Sequence, residues 1–115
     1  MAETARAESP IACNLGAFDA GQRERHGALW DELRATVQEV GELPDGYTLR
    51  YASDPTTCLK VAEFITLERL CCPFVTFTLE LEREQGPLWL RLTGREGVKD
   101  FLRAELGMGY KISGL

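Results

Sequence analysis

The sequence lacks the features that would place the protein in a membrane or on a nucleic acid. No apolar run approaches the ~20 residues that a membrane span requires. The first ten residues contain no apolar segment of the kind found in secretory signals. The formal net charge of -5 argues against non-specific nucleic-acid binding, which needs a basic surface. We therefore expect a cytoplasmic protein with no membrane or nucleic-acid partner.

Several signatures of catalysis are also missing. The chain has no glycine-rich phosphate loop, no nucleophile elbow and no paired-carboxylate pattern of a hydrolase. Its 115 residues include a single histidine, His26. The sequence therefore does not favour an enzyme. One enzymatic alternative stays open, in which a cysteine attacks a small electrophile and His26 acts as the base.

Length and composition indicate one ordinary domain. With 115 residues, of which 44% are hydrophobic and 27% charged, the chain is long enough to bury a core without disulfides. Polar and alanine-rich residues at the start predict a disordered tail over residues 1–9. We expect the domain to span residues 10–107, and residues 108–115 to form a C-terminal tail.

The hydrophobic pattern predicts four strands and three helices. The expected strands are 11–15, 47–51, 75–82 and 88–92, and the expected helices are 20–40, 55–72 and 96–106. Asp19 and Gln22 form a capping box for the first helix, and Asp54 with Pro55 begins the second. Strands that alternate apolar and polar residues have one covered face. The fold class is therefore α/β (α+β), a two-layer sandwich in the order βαβαββα, with a four-stranded mixed sheet and three helices on one face.

The other face of the predicted sheet is polar except for Trp89. The polar side chains there are expected to form cross-strand ion pairs. Two interpretations of Trp89 stay open. It marks a homodimer interface, or neighbouring long side chains cover it. A protein-interaction module with structural cysteines is accordingly a second functional hypothesis.

The most unusual feature is the adjacent pair Cys71 and Cys72, at the end of the second helix. At 100° per residue, Glu68 lies within the same helix face as both cysteines, one turn earlier. A carboxylate on an apolar face is costly to bury unless it is paired or neutralised. The spacing therefore predicts one cluster of a carboxylate and two thiols.

Three interpretations of this cluster compete. In the first, both cysteines fill the core and Glu68 pairs with an arginine or caps the backbone. In the second, the thiols are ligands of a soft metal ion, because thiolates select zinc, copper(I) and heavier thiophilic metals. In the third, one thiol is a redox or nucleophilic group. A helix C-terminus beside a carboxylate disfavours a free thiolate, so the ligand interpretation is preferred to this one.

Two adjacent cysteines need further ligands. Cys13 is the natural third ligand and His26 a candidate fourth group, whereas Cys58 lies about 21 Å along the helix from Cys72 and is assigned to the core. One objection stands. In a plain strand–helix–strand unit, Cys13 would lie at the opposite end of the sheet from the cysteine pair. A separation above about 10 Å would exclude a three-cysteine site.

Three segments together resemble a family of small, uncharacterised bacterial proteins. They are residues 10–15 (PIACNL), 68–77 (ERLCCPFVTF) and 88–97 (LWLRLTGREG). The resemblance covers about residues 10–106. It implies that Cys13, Glu68, Cys71 and Cys72 act as one unit, with a place in heavy-metal resistance, mercury in particular. The sequence thus favours a protein that binds zinc, copper(I) or a mercury-like ion through this cluster.

Overall fold

The computed structural model describes residues 8–107, so most of the first predicted tail and all of the second lie outside the described residues. Within this range the chain has a short 3-10 turn, three helices and four strands. They are the 3-10 turn Leu15–Ala17, α1 Ala20–Thr36, β1 Glu39–Leu43, β2 Gly46–Tyr51, α2 Pro55–Cys71, β3 Thr76–Leu81, β4 Leu88–Thr93 and α3 Val98–Leu106. None of these helices is long and apolar enough to cross a lipid bilayer.

The two-layer α+β class with four strands and three helices is confirmed, but the sheet is antiparallel throughout and not mixed. Its strand order is β1-β2-β4-β3. The register places Tyr47 opposite Leu92, and Leu49 opposite Leu90, on one face. These side chains are at most 1% exposed, and the helices pack over them to form the core.

The first predicted strand is wrong. Residues 11–15 do not pair with the sheet. Residues 11 and 12 form a bend, and Leu15 is already the first residue of the 3-10 turn. We call residues 8–18 the N-terminal strap. Its backbone bonds elsewhere, because the N–H of Asn14 donates to the Cys71 carbonyl of α2 and β1 takes the position beside β2.

The end of the first predicted helix is also wrong. The helix stops at Thr36, and residues predicted as its last turn form β1 instead. Val40, expected on the helical stripe, faces the same core from the strand and lies opposite Leu49. A glycine directly after residue 40 was expected to end this helix, but Gly41 lies within β1 and pairs with Thr48, whose Cγ2 would lie 2.9 Å from an added Cβ.

The hairpin of β3 and β4 is confirmed, as is α2. Asp54 caps α2 by accepting a hydrogen bond from the backbone N–H of Thr57. The leucines of β3 point to the helix face, as predicted, because Leu79 lies opposite Leu90. They are nevertheless exposed, Leu79 to 37%, because β3 is an edge strand that the helices do not cover.

Long side chains partly cover Trp89 on the outer face. Its Nε1–H donates to Glu82 at 2.5 Å, and the Arg50 guanidinium lies 5.9 Å from the ring centroid. The expected cross-strand pair between Arg91 and Glu80 is present at 2.7 Å. The homodimer through this face stays a prediction.

Candidate metal centre

The centre begins at the C-terminal end of α2. Cys71 is the last helical residue and Cys72 is the cap, because Pro73 disfavours a helical conformation in the residue before it. The cap N–H donates to the Glu68 carbonyl at 2.8 Å and closes the last turn. This geometry leaves the Sγ atoms of Cys71 and Cys72 only 3.6 Å apart, with both residues buried.

The N-terminal strap brings Cys13 to this pair. The backbone N–H of Asn14 donates to the Cys71 carbonyl at 3.0 Å, so the strap runs directly against the end of α2. The Sγ atoms of Cys13, Cys71 and Cys72 all lie within 4.8 Å of one another. This spacing removes the objection that Cys13 would lie at the far end of the sheet. The objection assumed that residues 11–15 form a strand, and they do not.

Glu68 is buried behind Cys71 and pairs with His26. Only 2% of Glu68 is exposed, and its Oε1 lies 2.5 Å from His26 Nε2. The same oxygen accepts a hydrogen bond from the Cys71 thiol at 3.7 Å. The partner of the carboxylate is therefore the histidine, whereas an arginine was expected in the core-filling interpretation. Glu68 connects His26 to the thiols.

Aromatic rings fix the position of His26. The ring lies between Phe18, with centroids 5.0 Å apart, and Phe64, with centroids 5.5 Å apart. The capping box of Asp19 and Gln22, present as predicted, sets where α1 starts and so which residue faces α2. Neither phenylalanine was among the predicted site residues. Phe64 precedes Glu68 by one helical turn and shares its face, so helix geometry could have indicated it, whereas no sequence signal indicates Phe18.

The predicted ligands form two overlapping groups and not a single set of five. One group is Cys13, Cys71 and Cys72, and the other is His26, Glu68 and Cys71. Cys71 belongs to both. Among residues 8–107, Cys58 is in neither group, and its half-buried thiol donates to the Ser53 carbonyl at 3.3 Å. Its assignment as a structural cysteine is consistent with that position.

The three thiols differ in how readily they ionise. The hydrogen bond from the Cys72 thiol holds the pKa of Cys71 below its ordinary value, with smaller contributions from Cys13 and His26. That same hydrogen bond, together with burial, raises the pKa of Cys72. Cys13 is an exposed residue, but its sulfur faces the cluster, where desolvation and the neighbouring Cys71 raise its pKa to about 11. Of the three thiols, Cys71 is therefore the one expected to ionise first as the pH rises.

The prediction was that a helix end beside a carboxylate disfavours both thiolates, but the two pKa values shift in opposite directions, and that of Cys72 is raised mainly by its hydrogen bond with Cys71 and by burial. The carboxylate of Glu68 does oppose ionisation of Cys71, as the sequence suggested. Donation from two neighbouring thiols and the proximity of His26 outweigh it. The hydrogen bond to Glu68 in turn raises the pKa of His26, which favours the protonated imidazole beside the buried carboxylate.

The sulfur spacing matches a shared metal ion. At a metal–sulfur distance of about 2.3 Å, two thiolates of a tetrahedral or trigonal site lie about 3.8–4.0 Å apart, and those of a linear site about 4.6 Å apart. The Cys71–Cys72 distance of 3.6 Å is close to the first range. Three thiols could therefore reach one ion with small side-chain adjustments.

No protein-family model, curated protein or solved structure matches the chain. The fold alone does not define a function, because one architecture supports many activities. The function has to be argued from the chemistry of the site.

Proposed function

We propose that the protein binds a soft, thiophilic metal ion through Cys13, Cys71 and Cys72. The observation that supports this proposal is the convergence of three thiols within 4.8 Å, from segments far apart in sequence. Adjacent Cys71 and Cys72 cannot form a relaxed disulfide with each other. A shared cation explains their juxtaposition, because it compensates the repulsion between neighbouring thiolates.

Glu68 and His26 serve the site without supplying the main ligands. Thiols must lose their protons when they bind a metal ion. Glu68 accepts the hydrogen bond of the Cys71 thiol, so its carboxylate is placed to take up that proton. His26 holds the same carboxylate oxygen from the other side and fixes its orientation. Buried polar groups behind metal ligands commonly have this role.

The donor set restricts the metal. An all-sulfur set selects zinc, copper(I) and heavier thiophilic ions, and disfavours magnesium and calcium, which prefer oxygen ligands. Zinc would require a fourth ligand to complete its tetrahedron. Copper(I) and mercury(II) bind well to two or three thiolates, and the family resemblance favours mercury. Sequestration of such an ion is therefore the role we propose, with structural zinc as the alternative.

Native mass spectrometry of the full chain with zinc(II), copper(I) or mercury(II) tests the proposal. We expect one ion per wild-type chain, retained during buffer exchange. The double variant Cys71→Ser, Cys72→Ser should lose it, because only Cys13 would remain in the sulfur group.

The matched control is Cys58→Ser, which removes a thiol outside the cluster. It should retain the ion as the wild type does. The proposal fails if the wild type holds none of the three metals, or if the double variant holds its metal as tightly as the control. Circular dichroism of each variant establishes that loss of metal is not loss of fold.

A further inference from the structure

The three thiols are unequally accessible. Cys71 and Cys72 are 1% and 2% exposed, whereas Cys13 is an exposed residue on the N-terminal strap. A metal complex that diffuses to the protein therefore meets Cys13 before it meets the pair. The buried pair can be attacked directly only if the end of α2 opens locally.

The strap is fastened on both sides of Cys13. Ahead of it, Arg95 donates to the Ser9 carbonyl at 2.5 Å. Behind it, Asn14 donates to the Cys71 carbonyl, and Arg23 donates to the Leu15 carbonyl at 3.1 Å. Cys13 thus belongs to an exposed part of the strap and is also kept within 4.8 Å of the buried sulfurs. The first protein ligand of an incoming metal complex needs to be accessible from solvent and also close to the thiols that bind the ion next.

We propose that the ion arrives as a complex with two small-molecule thiols and is transferred by ligand exchange that begins at Cys13. This inference rests on the proposed function and adds the form of the substrate and the order of the ligands. A reducing compartment is rich in thiols, and soft ions bind thiolates strongly, so the free ion is scarce there. A bis-thiolate complex is the form in which such an ion is available.

The exchange balances for a divalent ion M and a small thiol RSH. Cys13 displaces the first thiol: M(SR)2 and the Cys13 thiol give a Cys13–S–M–SR species and RSH. Cys71 then replaces the second thiolate. Its proton, passed through Glu68, leaves on a second RSH. Cys72 joins last and releases one proton. The sum is M(SR)2 plus three cysteine thiols giving a tris-thiolate ion of charge −1, two RSH and one proton.

In the first two steps, each new metal–sulfur bond replaces an existing metal–sulfur bond. In the last step, Cys72 adds a third metal–sulfur bond. Neither the metal nor sulfur is oxidised or reduced. The ion is never without thiolate ligands, which avoids the cost of releasing it to water. The same sequence in reverse would return the ion to two external thiols, with Cys72 as the first ligand to leave and Cys13 as the last.

Stopped-flow absorbance with the mercury(II) bis-glutathione complex tests this order, since thiolate-to-mercury bands report the coordination number. We expect Cys13→Ser to bind the ion at equilibrium but to capture it about tenfold more slowly, because attack must await opening of the α2 end. Cys72→Ser should begin exchange at the wild-type rate, but lose its ion faster to added glutathione. Cys58→Ser serves as the control and should match the wild type in both rates.

The outcomes separate this inference from the proposed function. If Cys13→Ser captures mercury as fast as the wild type, the order of ligands is wrong, although metal binding stands. The order is also wrong if Cys72→Ser slows capture as much as Cys13→Ser does. If the wild type takes no mercury from glutathione yet binds mercury(II) chloride, only the substrate class fails. Absence of binding from both sources overturns the proposed function itself.

Discussion

The pair of Glu68 and His26 leads to the sharpest quantitative prediction. Glu68 is 2% exposed, and its carboxylate touches an imidazole whose side chain is 17% exposed. Removing one partner of a buried ion pair typically costs about 3–5 kcal/mol, since the other charge is left without compensation. Here His26 retains some contact with solvent, and Glu68→Gln can still hydrogen-bond a neutral imidazole. We therefore expect Glu68→Gln to lower the free energy of unfolding by about 1–3 kcal/mol.

The interaction should weaken as the pH rises. Because the folded-state pKa of His26 is raised, its contribution to stability is complete below the unfolded histidine pKa of about 6.5. That contribution is lost as the pH rises through the higher folded-state value, where the imidazole loses its proton. A double-mutant cycle with Glu68→Gln and His26→Gln should thus give a larger coupling energy near pH 6 than near pH 9.

Urea unfolding of the metal-free, reduced protein measures each corner of the cycle. Trp30 is a convenient fluorescent probe, because its ring stacks on Phe64 with centroids 5.5 Å apart. The matched control is the pair of Arg25 and Glu63, which joins the same two helices at 2.8 Å on the exposed surface. An exposed ion pair contributes little, so its coupling energy should be small. A Glu68–His26 coupling no larger than the control, or one that grows with pH, would refute the reasoning.

Three further predictions concern a buried hydroxyl, two glycines and one thiol. Tyr51→Phe should leave the free energy of unfolding in urea unchanged or raise it by up to about 1 kcal/mol, since the Tyr51 hydroxyl is buried without a partner among residues 8–107. Tyr47→Phe should lower the same free energy by about 0.5–1.5 kcal/mol, because it removes the acceptor of a hydrogen bond from Arg103 of α3. In thermal unfolding, Gly27→Ala should stabilise the protein by about 0.5–1 kcal/mol, because Gly27 lies in α1 and an added Cβ there would meet open space. Gly46→Ala should destabilise the protein by about 3 kcal/mol, because its Cβ would lie 1.9 Å from a backbone oxygen of β4. In the metal-free protein, thiolate absorbance should show one thiol with a lowered pKa, and Cys71→Ser should abolish that step; a first step that survives this substitution contradicts the assignment.

The best-predicted elements are those whose local signals agree. The hairpin of β3 and β4 has clean alternation on both strands, and α2 has a cap, a proline at its first position and a proline after its end. The pattern of the two strands does not fit a helix, and the pattern of α2 does not fit a strand. Each end of these elements could therefore be predicted to within about one residue without knowledge of the rest of the chain.

The boundary between α1 and β1 could not be predicted, because its residues satisfy both patterns. Val37 and Val40 continue the helical stripe of Leu29 and Leu33, and Val40 also alternates with polar neighbours as a strand residue should. Tertiary contact decides between them. Pairing with β2 places Val40 opposite Leu49 and supplies the backbone partners that a helix would otherwise provide. Residues 39 and 40, which begin β1, therefore fell within the predicted helix.

The residues of the candidate metal centre also differ in how well the sequence predicts their positions. Glu68, Cys71 and Cys72 lie within one helical turn, so helix geometry alone brings them together. Cys13 lies on the N-terminal strap and His26 on α1, so their distances from the α2 cluster depend on tertiary packing. No rule based on local sequence predicts such distances. The resemblance implied that Cys13 joins the cluster, yet predicted secondary structure argued against it.

The mistaken strand is what made the three-cysteine site look improbable. A strand at residues 11–15 would have used the backbone of Asn14 for sheet pairing and carried Cys13 to the opposite end of the sheet. Because residues 11–15 do not pair with the sheet, that backbone is free to bind the last turn of α2, whose carbonyls lack helical partners. The hydrogen bond from Asn14 to Cys71 therefore caps the helix and positions the third thiol at once. Capping of α2 and assembly of the sulfur group are consequences of the same contact, so a change that loosens the strap should weaken both together.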